Sequence, residues 1–350
     1  MRALKQLFTS EQWIAAAVAA SILLIPSQAE AAQPSAKHTT QTKAGKKKVA
    51  KAAPSKRAST KRLASTPAKV THLTASKRGK AQTSLRRASL EPSPVTREPQ
   101  LASSAALVID ARNGQHIFEK NIGNVSPIAS ITKLMTAMVV LDLQLPLNEL
   151  ITITQDDVDT LKNSSSRLLV GTTLTRGEVL HLALMASENR AAHALARTSP
   201  IGKDAFIARM NRMAAALNMR SSHFVDPTGL NSNNVSTAED LTRMVEAAHQ
   251  YPEIRAYSTS DSMSFVSSVN RREYEFHNTN PLVKSDDWQI GVSKTGYISE
   301  AGKCLVMRAT IKETPVVIVL LDSNGKLTRI GDAIRIKRWM ESGAPRSKAS

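Results

Sequence analysis

The chain has 350 residues and a formal net charge of +18, a size that allows one large domain or two modest ones. Most of the charge lies in one segment. Residues 32–90 contain sixteen Lys or Arg and no acidic residue, residues 1–31 are neutral, and residues 91–350 carry only +2. A nearly neutral globular part argues against nucleic-acid binding. The single cysteine, Cys304, excludes a disulfide within the chain, and its apolar surroundings predict a buried thiol.

Residues 1–31 are typical of a secretory signal. Arg2 and Lys5 precede an uncharged, mostly apolar run over residues 13–25, and residues 29–31 fit a small-x-small cleavage site. The thirteen-residue run is shorter than the ~20 residues needed to cross a bilayer. No cysteine follows it, which excludes lipoprotein anchoring. We therefore expect export to the periplasm, with a retained anchor as the alternative.

Residues 32–98 form a second segment, rich in Lys, Ala, Ser, Thr and Pro. This composition cannot bury enough apolar surface to offset the entropy of ordering, which predicts a disordered basic linker. The linker is either a solvated tether or an electrostatic attachment to an anionic surface, such as acidic wall polymers or lipid head groups. If the chain is exported, nucleic acid is not its partner.

The first predicted elements lie between residues 105 and 143. Residues 105–110 are apolar and predict a strand, and Asn113-Gly114 predicts a hairpin that returns through residues 115–119. Ser126-Pro127 then predicts a helix N-cap followed by proline at the first helical position. The apolar pattern that follows predicts a buried helix over residues 128–143.

Capping boxes and further strands complete the pattern. Thr175 with Glu178, and Ser236 with Glu239, predict the starts of helices that end near residues 186 and 250. Near the C-terminus, three strands are predicted over residues 289–295, 304–311 and 315–321. A last helix is predicted to follow and to end at Glu341, with Ile330, Ile334 and Met340 on its apolar side. Strands at both ends and helices between them predict an α+β domain over residues 99–342. We expect an antiparallel sheet from both ends flanked by a helical cluster, then a polar tail over residues 343–350.

Three short motifs carry candidate chemistry. In Ser130-Ile131-Thr132-Lys133, the first and last residues share one helix face, and an apolar helix would bury the lysine. Ser187-Glu188-Asn189 follows the first capping-box helix, and Lys294-Thr295-Gly296 ends a predicted strand. Each motif alone is weak, but the three in this order, on a helix, a loop and a strand, form a specific combination. The histidines show no metal-binding spacing such as H-E-x-x-H, so we expect no metal and no cofactor.

This combination resembles the penicillin-binding proteins and class A β-lactamases, whose signature is S-x-x-K, S-D-N and K-T-G. Glu188 departs from that signature, at the position whose side chain is least constrained in the family's pattern. The sequences around the three motifs, together with Asp226-Pro227-Thr228-Gly229-Leu230, are similar to the low-molecular-mass D,D-peptidases. The resemblance is greatest to the D-alanyl-D-alanine endopeptidases of the penicillin-binding protein 7 type. It covers roughly residues 100–342 and implies the β-lactamase/D,D-peptidase fold.

The resemblance also implies roles for individual residues. Ser130 would be the acylated nucleophile and Lys133 its general base, with a pKa depressed by burial and by Lys294. Ser187 would relay a proton to the leaving amine, and Asn189 would hold Lys133 and contact the substrate amide. The remaining implied residues bind substrate: Lys294 and Thr295 bind its carboxylate, Gly296 allows the backbone to approach it closely, and the N–H groups of Ser130 and Tyr297 form the oxyanion hole.

The implied activity is hydrolysis of D,D cross-links in peptidoglycan, inhibited covalently by β-lactams. A β-lactamase would need a deacylating glutamate, and the chain has no E-x-x-L-N segment between Ser187 and Lys294. A D,D-carboxypeptidase remains the alternative. Membrane-bound carboxypeptidases of this family add a β-rich domain and an amphipathic helix, whereas this chain ends about fifty residues after the third motif. An intact set of motif residues argues against a purely wall-binding protein.

Overall fold

The main sheet of the protein joins the two ends of the described chain. The computed structural model describes residues 98–343, so the predicted signal, almost all of the predicted linker and residues 344–350 lie outside the described part. The strands are β1 (Ala105–Asp110), β2 (His116–Lys120), β3 (Ser126–Pro127), β4 (Leu150–Thr152), β5 (Thr173–Thr175), β6 (Val235–Ser236), β7 (Ser262–Val266), β8 (Glu273–His277), β9 (Gln289–Ile298), β10 (Gly302–Ile311) and β11 (Thr314–Ser323).

Five of these strands form an antiparallel sheet in the order β2-β1-β11-β10-β9. The central pairing joins the first and last strands, with Leu107 opposite Val319. All six residues of β1 are buried, and its five apolar side chains alternate in direction and pack into two separate apolar clusters on the two faces of the sheet. The predicted sheet, built from both ends of the domain, is therefore confirmed.

The helices lie mostly between β3 and β7 in the chain. They are α1 (Thr132–Asp142), α2 (Arg176–Met185), α3 (Asn189–Arg197), α4 (Lys203–Ala216), α5 (Ala238–His249), α6 (Pro252–Thr259) and α7 (Thr328–Glu341). Residues of α1, α2, α3 and α5 bury their apolar side chains together on one face of the sheet, whereas α7 covers the other face. In the described part of the chain, no helix is long and apolar enough to span a bilayer.

The predicted N-cap at Ser126 is wrong. Ser126 and Pro127 form β3 and pair with Ser236 and Val235 of β6, and the N–H of Ile128 then donates to the carbonyl of Asn234 at 3.0 Å. A single 3-10 turn, Ala129–Ile131, follows and leads directly into α1. Tertiary pairing has replaced local capping, and it fixes where the first motif enters the helix.

Two helix predictions need smaller corrections. The N-cap of α5 is Thr237, whose side chain accepts from the N–H of Asp240, so the predicted start at Ser236 is one residue early. On α7, Ile334 and Met340 are only partly buried, and the residues that pack fully are Ile330, Ala333, Ile336 and Trp339. The capping box of Thr175 and Glu178 at the start of α2 is confirmed, with both of its hydrogen bonds present.

Candidate active site

Ser130 and Lys133 lie at the start of α1. Ser130 belongs to the 3-10 turn, and Lys133 stands three residues later, within the first turn of the α-helix. The Nζ of Lys133 donates to the Oγ of Ser130 at 2.8 Å. Ala129, immediately before the serine, has a left-handed backbone with φ of 47°. The sharp turn places the Ser130 hydroxyl at the N-terminus of a buried helix.

Lys133 is only 1% exposed, and its ammonium is held by three acceptors. These are Ser130 Oγ at 2.8 Å, Asn189 Oδ1 at 2.7 Å and the Thr228 carbonyl at 2.7 Å. Burial lowers the pKa of Lys133 to about 7, even though the charges of Asp226 and Glu188 oppose the shift. Near neutral pH, the amine is therefore divided between a form that donates a proton and a form that accepts one.

The loop that carries Thr228 is organised by Asp226. One carboxylate oxygen accepts from the N–H and hydroxyl of Thr228 and from the N–H of Gly229, all within 2.7 Å. The other accepts from the N–H of Asn231 and the amide of Asn234, both at 2.9 Å. The sequence of this loop resembles that of the D,D-peptidases but does not indicate which role it has. Its backbone carbonyl could not be identified as a ligand of the lysine from the sequence.

Gly229 brings the Asp226 loop against the turn that carries Ser130. Its backbone has φ of +80°, and a Cβ built there would lie 1.9 Å from the carbonyl oxygen of Ala129. No side chain fits at such a separation. The close contact between the Asp226 loop and the Ser130 turn therefore requires glycine at position 229.

The second motif joins α2 to α3. Ser187 lies in the connection with φ of 60°, and its Oγ accepts from Lys294 Nζ at 2.8 Å. Asn189 is the first residue of α3, and besides binding Lys133 it donates from Nδ2 to the Oγ of Ser164 at 3.0 Å. Each side chain of this motif that was predicted to act therefore contacts one of the two buried lysines.

Glu188 is more constrained than its place in the motif suggested. Its Oε2 accepts from the hydroxyl of Ser166 at 2.7 Å. Burial raises the pKa of the Glu188 carboxyl, and the charges of Lys133, Arg190 and Arg167 partly offset this rise. Ser166 therefore holds the carboxyl group in place, at the motif position that the family's pattern constrains least.

The third motif lies within β9 and does not end it, since the strand continues to Ile298. Lys294 is 1% exposed and donates to Ser187 Oγ and to the Thr295 carbonyl, both at 2.8 Å. Burial lowers the pKa of Lys294 well below its usual value, and the positive charge of Lys133 lowers it further. The hydroxyl of Thr295 donates to that of Thr279 at 2.6 Å, a contact that the sequence did not predict.

Gly296 places the strand edge beside the serine turn. A Cβ at Gly296 would lie 2.9 Å from the Ile128 carbonyl and 3.1 Å from the backbone nitrogen of Ser130. The adjacent Tyr297 is 59% exposed, and the Nζ of Lys303 lies 3.7 Å from the centre of its ring. The structure therefore brings all three motifs together around Ser130. Within residues 98–343 no group of three or more metal-ligating side chains is present.

Comparison with known proteins places the chain in a family. A sequence model described as D-alanyl-D-alanine carboxypeptidase matches residues 93–325, a stretch that contains all three motifs. The chain belongs to this peptidase family. It is 47% identical over 246 residues to a D-alanyl-D-alanine endopeptidase of Pseudomonas aeruginosa, and 44% identical to one of Escherichia coli. Each alignment covers 70% of this chain and 79% of the relative.

Solved structures of family members share the fold. The chain matches a D,D-transpeptidase of Streptomyces with a TM-score of 0.65 at 29% identity, over 71% of this chain and 98% of the other. The predicted β-lactamase/D,D-peptidase fold is therefore confirmed.

Proposed function

We propose that the protein is a serine D-alanyl-D-alanine endopeptidase that cleaves D,D cross-links of peptidoglycan. The observation that carries the proposal is the hydrogen bond between a serine hydroxyl and a buried lysine whose pKa is lowered to about 7. Such a pair generates a nucleophile without a histidine or a metal. Similarity to endopeptidases of two bacteria supports the same substrate.

The first half-reaction acylates Ser130. In its neutral form, Lys133 accepts the hydroxyl proton while Oγ attacks the carbonyl carbon of the scissile D,D bond. The N–H groups of Ser130 and Tyr297 stabilise the oxyanion of the tetrahedral intermediate, each contributing roughly 3–4 kcal/mol, as such donors do in other acyl-transfer enzymes. The C–N bond then breaks, and the amine leaves with a proton relayed through Ser187, which contacts Lys294.

The second half-reaction releases the acyl group. A water molecule attacks the ester carbonyl, Lys133 takes one of its protons, and the C–O bond to Ser130 breaks. The serine hydroxyl is regenerated, and the product leaves as a carboxylic acid. A β-lactam opened by the same attack keeps its amine tethered, which obstructs this step and makes β-lactams covalent inhibitors.

Lys294, Thr295 and Gly296 provide the site for the substrate carboxylate. Lys294 is buried and has a lowered pKa, so an arriving carboxylate favours its protonated form. The Thr295 hydroxyl can turn from Thr279 to donate to the same group. Asn189, already bound to Lys133, is close enough to the nucleophile to contact the substrate amide.

A D,D-carboxypeptidase is the second candidate, because the family itself is described by that activity. The two activities differ in whether the leaving amine belongs to a second stem peptide or to a terminal D-alanine. Digestion of purified cross-linked muropeptides, with products resolved by mass, tests the proposal. We expect dimers to be converted to monomers. Loss of a single alanine from an intact dimer would establish the carboxypeptidase instead.

Action on peptidoglycan supports a location outside the cytoplasmic membrane, and with the signal predicted over residues 1–31 we propose that the protein is periplasmic. The basic segment over residues 32–98 would hold it electrostatically on anionic wall material. The sixteen Lys and Arg of residues 32–90 would each make a weak contact that is screened over about 8–10 Å, so retention should fall steeply with salt. A pull-down on wall sacculi at low and high salt, with full-length protein and a form lacking residues 32–98, tests this. Equal binding of the two forms at low salt would make the segment a spacer.

A further inference from the structure

A cavity of about 380 Å³ lies beside the second motif, outside the contacts that hold the two lysines. Its polar and aromatic lining comprises Ser165, Ser166, Arg167, Glu188, Phe276 and His277. These side chains come from the loop before β5, from the α2–α3 connection and from the end of β8. None of them takes part in the reaction steps described above.

The cavity presents opposite charges with unused hydrogen-bonding capacity. The Arg167 guanidinium lies 4.5 Å from the centre of the Phe276 ring, and no carboxylate of the described residues is within ion-pair distance of it. Stacking fixes the plane of a guanidinium and leaves the donors at its edge free for a ligand. Within residues 98–343, the Oε2 of Glu188 accepts from Ser166, whereas its Oε1 accepts from no donor.

Both walls of the cavity continue into the catalytic centre. Glu188 lies between Ser187 and Asn189 in the chain. Arg167 follows three residues after Ser164, whose hydroxyl accepts a hydrogen bond from Asn189. On the opposite wall, β8 ends at His277 and the chain continues to Thr279, whose hydroxyl accepts from Thr295. A group bound in the cavity therefore lies next to a peptide held between the second and third motifs.

We propose that this cavity binds an amino-acid centre, with a free ammonium and a free carboxylate, at the end of a substrate side chain near the scissile bond. Arg167 binds the carboxylate through its planar fork of N–H donors, and Glu188 accepts from the ammonium. A ligand with only a carboxylate would face the Glu188 charge, and one with only an ammonium would face Arg167. A zwitterionic group pairs with both. This inference rests on the proposed D,D-peptidase function.

The test measures selectivity with three synthetic D,D cross-linked peptides, in which the scissile bond joins a D-alanine to an amine of a second stem peptide. The residue before that D-alanine carries a side chain that ends in a free amino-acid centre, in the carboxamide of that centre or in its N-acetyl form. Full-length wild type, Arg167→Gln and Glu188→Gln are compared by kcat/KM. The control Arg272→Gln removes an exposed arginine just before β8, four residues before Phe276 and so about 13 Å away along an extended chain. Covalent labelling by penicillin checks that each variant is folded.

We expect Arg167→Gln to reduce the ratio of kcat/KM for the free centre over its carboxamide by about ten-fold, the effect of one lost charge-assisted contact. Glu188→Gln should reduce the ratio of the free centre over its N-acetyl form to a similar extent. These ratios cancel any effect of Glu188 on Lys133 that all peptides share. The Arg272→Gln variant should keep both wild-type ratios.

Two results would overturn the subsite and leave the proposed function intact: equal cleavage of all three peptides by the wild type, or wild-type selectivity in Arg167→Gln and Glu188→Gln. Cleavage of none of the three by a wild type that penicillin labels would count against the proposed function, and against the subsite with it.

Discussion

The Nζ of Lys133 lies 2.7 Å from the backbone carbonyl of Thr228, a residue 95 positions away in the chain. A backbone carbonyl can accept but cannot donate, so it retains one lysine proton while the lone pair of the neutral amine faces Ser130. With Asn189 as a second acceptor, the geometry orients the base as well as burying it. The functional consequences of this arrangement can be measured.

The rate of acylation by penicillin should depend on pH through Lys133. Its pKa is lowered from 10.5 to about 7, so the amine is mostly protonated and inactive below that value and mostly neutral above it. We expect the second-order acylation rate constant to rise with pH and to reach half its plateau near pH 7, with the slope of one proton. A rate that stays constant between about pH 5 and 9 would contradict this assignment.

Lys133→Arg should be nearly inactive even though the positive charge is kept. A guanidinium does not lose its proton at accessible pH and cannot act as a base. We expect acylation to fall by at least about 10²-fold, the lower range for loss of a general base. Thermal unfolding would show whether the variant is folded. Near-normal acylation in a folded variant would remove Lys133 from the base role.

Ser130→Ala should abolish covalent labelling by penicillin while the fold survives, since the change removes one oxygen from a partly exposed position. The matched control is Ser299→Ala, which removes an exposed hydroxyl on the turn between β9 and β10. It should be labelled like the wild type. Labelling of both variants would place the nucleophile elsewhere.

Asp226→Asn should weaken both stability and acylation. Five donors converge on this carboxylate, and an amide would turn an NH₂ group towards some of them. Loss of charge-assisted hydrogen bonds of this kind costs about 1.5–3 kcal/mol of unfolding free energy. Chemical denaturation should show this loss, and acylation should slow because Thr228 is displaced. Asp261→Asn, at an exposed ion pair with Lys284, should show neither effect.

Gly229→Ala and Gly114→Ala form a matched pair, because both glycines have positive φ. At Gly114 nothing lies within 4 Å of the new Cβ, so only the backbone cost of roughly 1–2 kcal/mol is expected. At Gly229 the Cβ would meet the Ala129 carbonyl, which adds a steric cost of roughly 1–3 kcal/mol and moves the Ser130 turn. Equal unfolding free energies for the two variants would refute the close approach.

Much of the fold could be predicted because its signals are local. The apolar runs of β1, β10 and β11 and the capping box before α2 follow directly from their own residues. The start of α1 could not be predicted in this way. Ser126-Pro127 has a favourable capping sequence, but pairing with β6 places these residues in a strand. Distant partners decided the outcome there.

The residues of the candidate site likewise fall into those that the sequence identifies locally and those that depend on distant partners. The motif residues could be identified from their types and order, since a hydroxyl, an amine and an amide carry recognisable chemistry. The acceptor on Thr228 is a backbone carbonyl, a group that every residue possesses, so its position in the fold alone distinguishes it. The contacts of Thr279 with Thr295 and of Ser164 with Asn189 join separate segments and have no local signal.

The left-handed backbones of Ala129 and Ser187 also bear on attempts to make the protein more heat-resistant. A non-glycine residue in this conformation costs of order 1–3 kcal/mol, so glycine would be the more stable choice at both positions. At Ser187, however, glycine would also remove the hydroxyl that binds Lys294. Loss of that acceptor costs about 1.5–3 kcal/mol and offsets the relief of the backbone, so selection for thermal stability alone should favour Ala129→Gly and leave Ser187 unchanged.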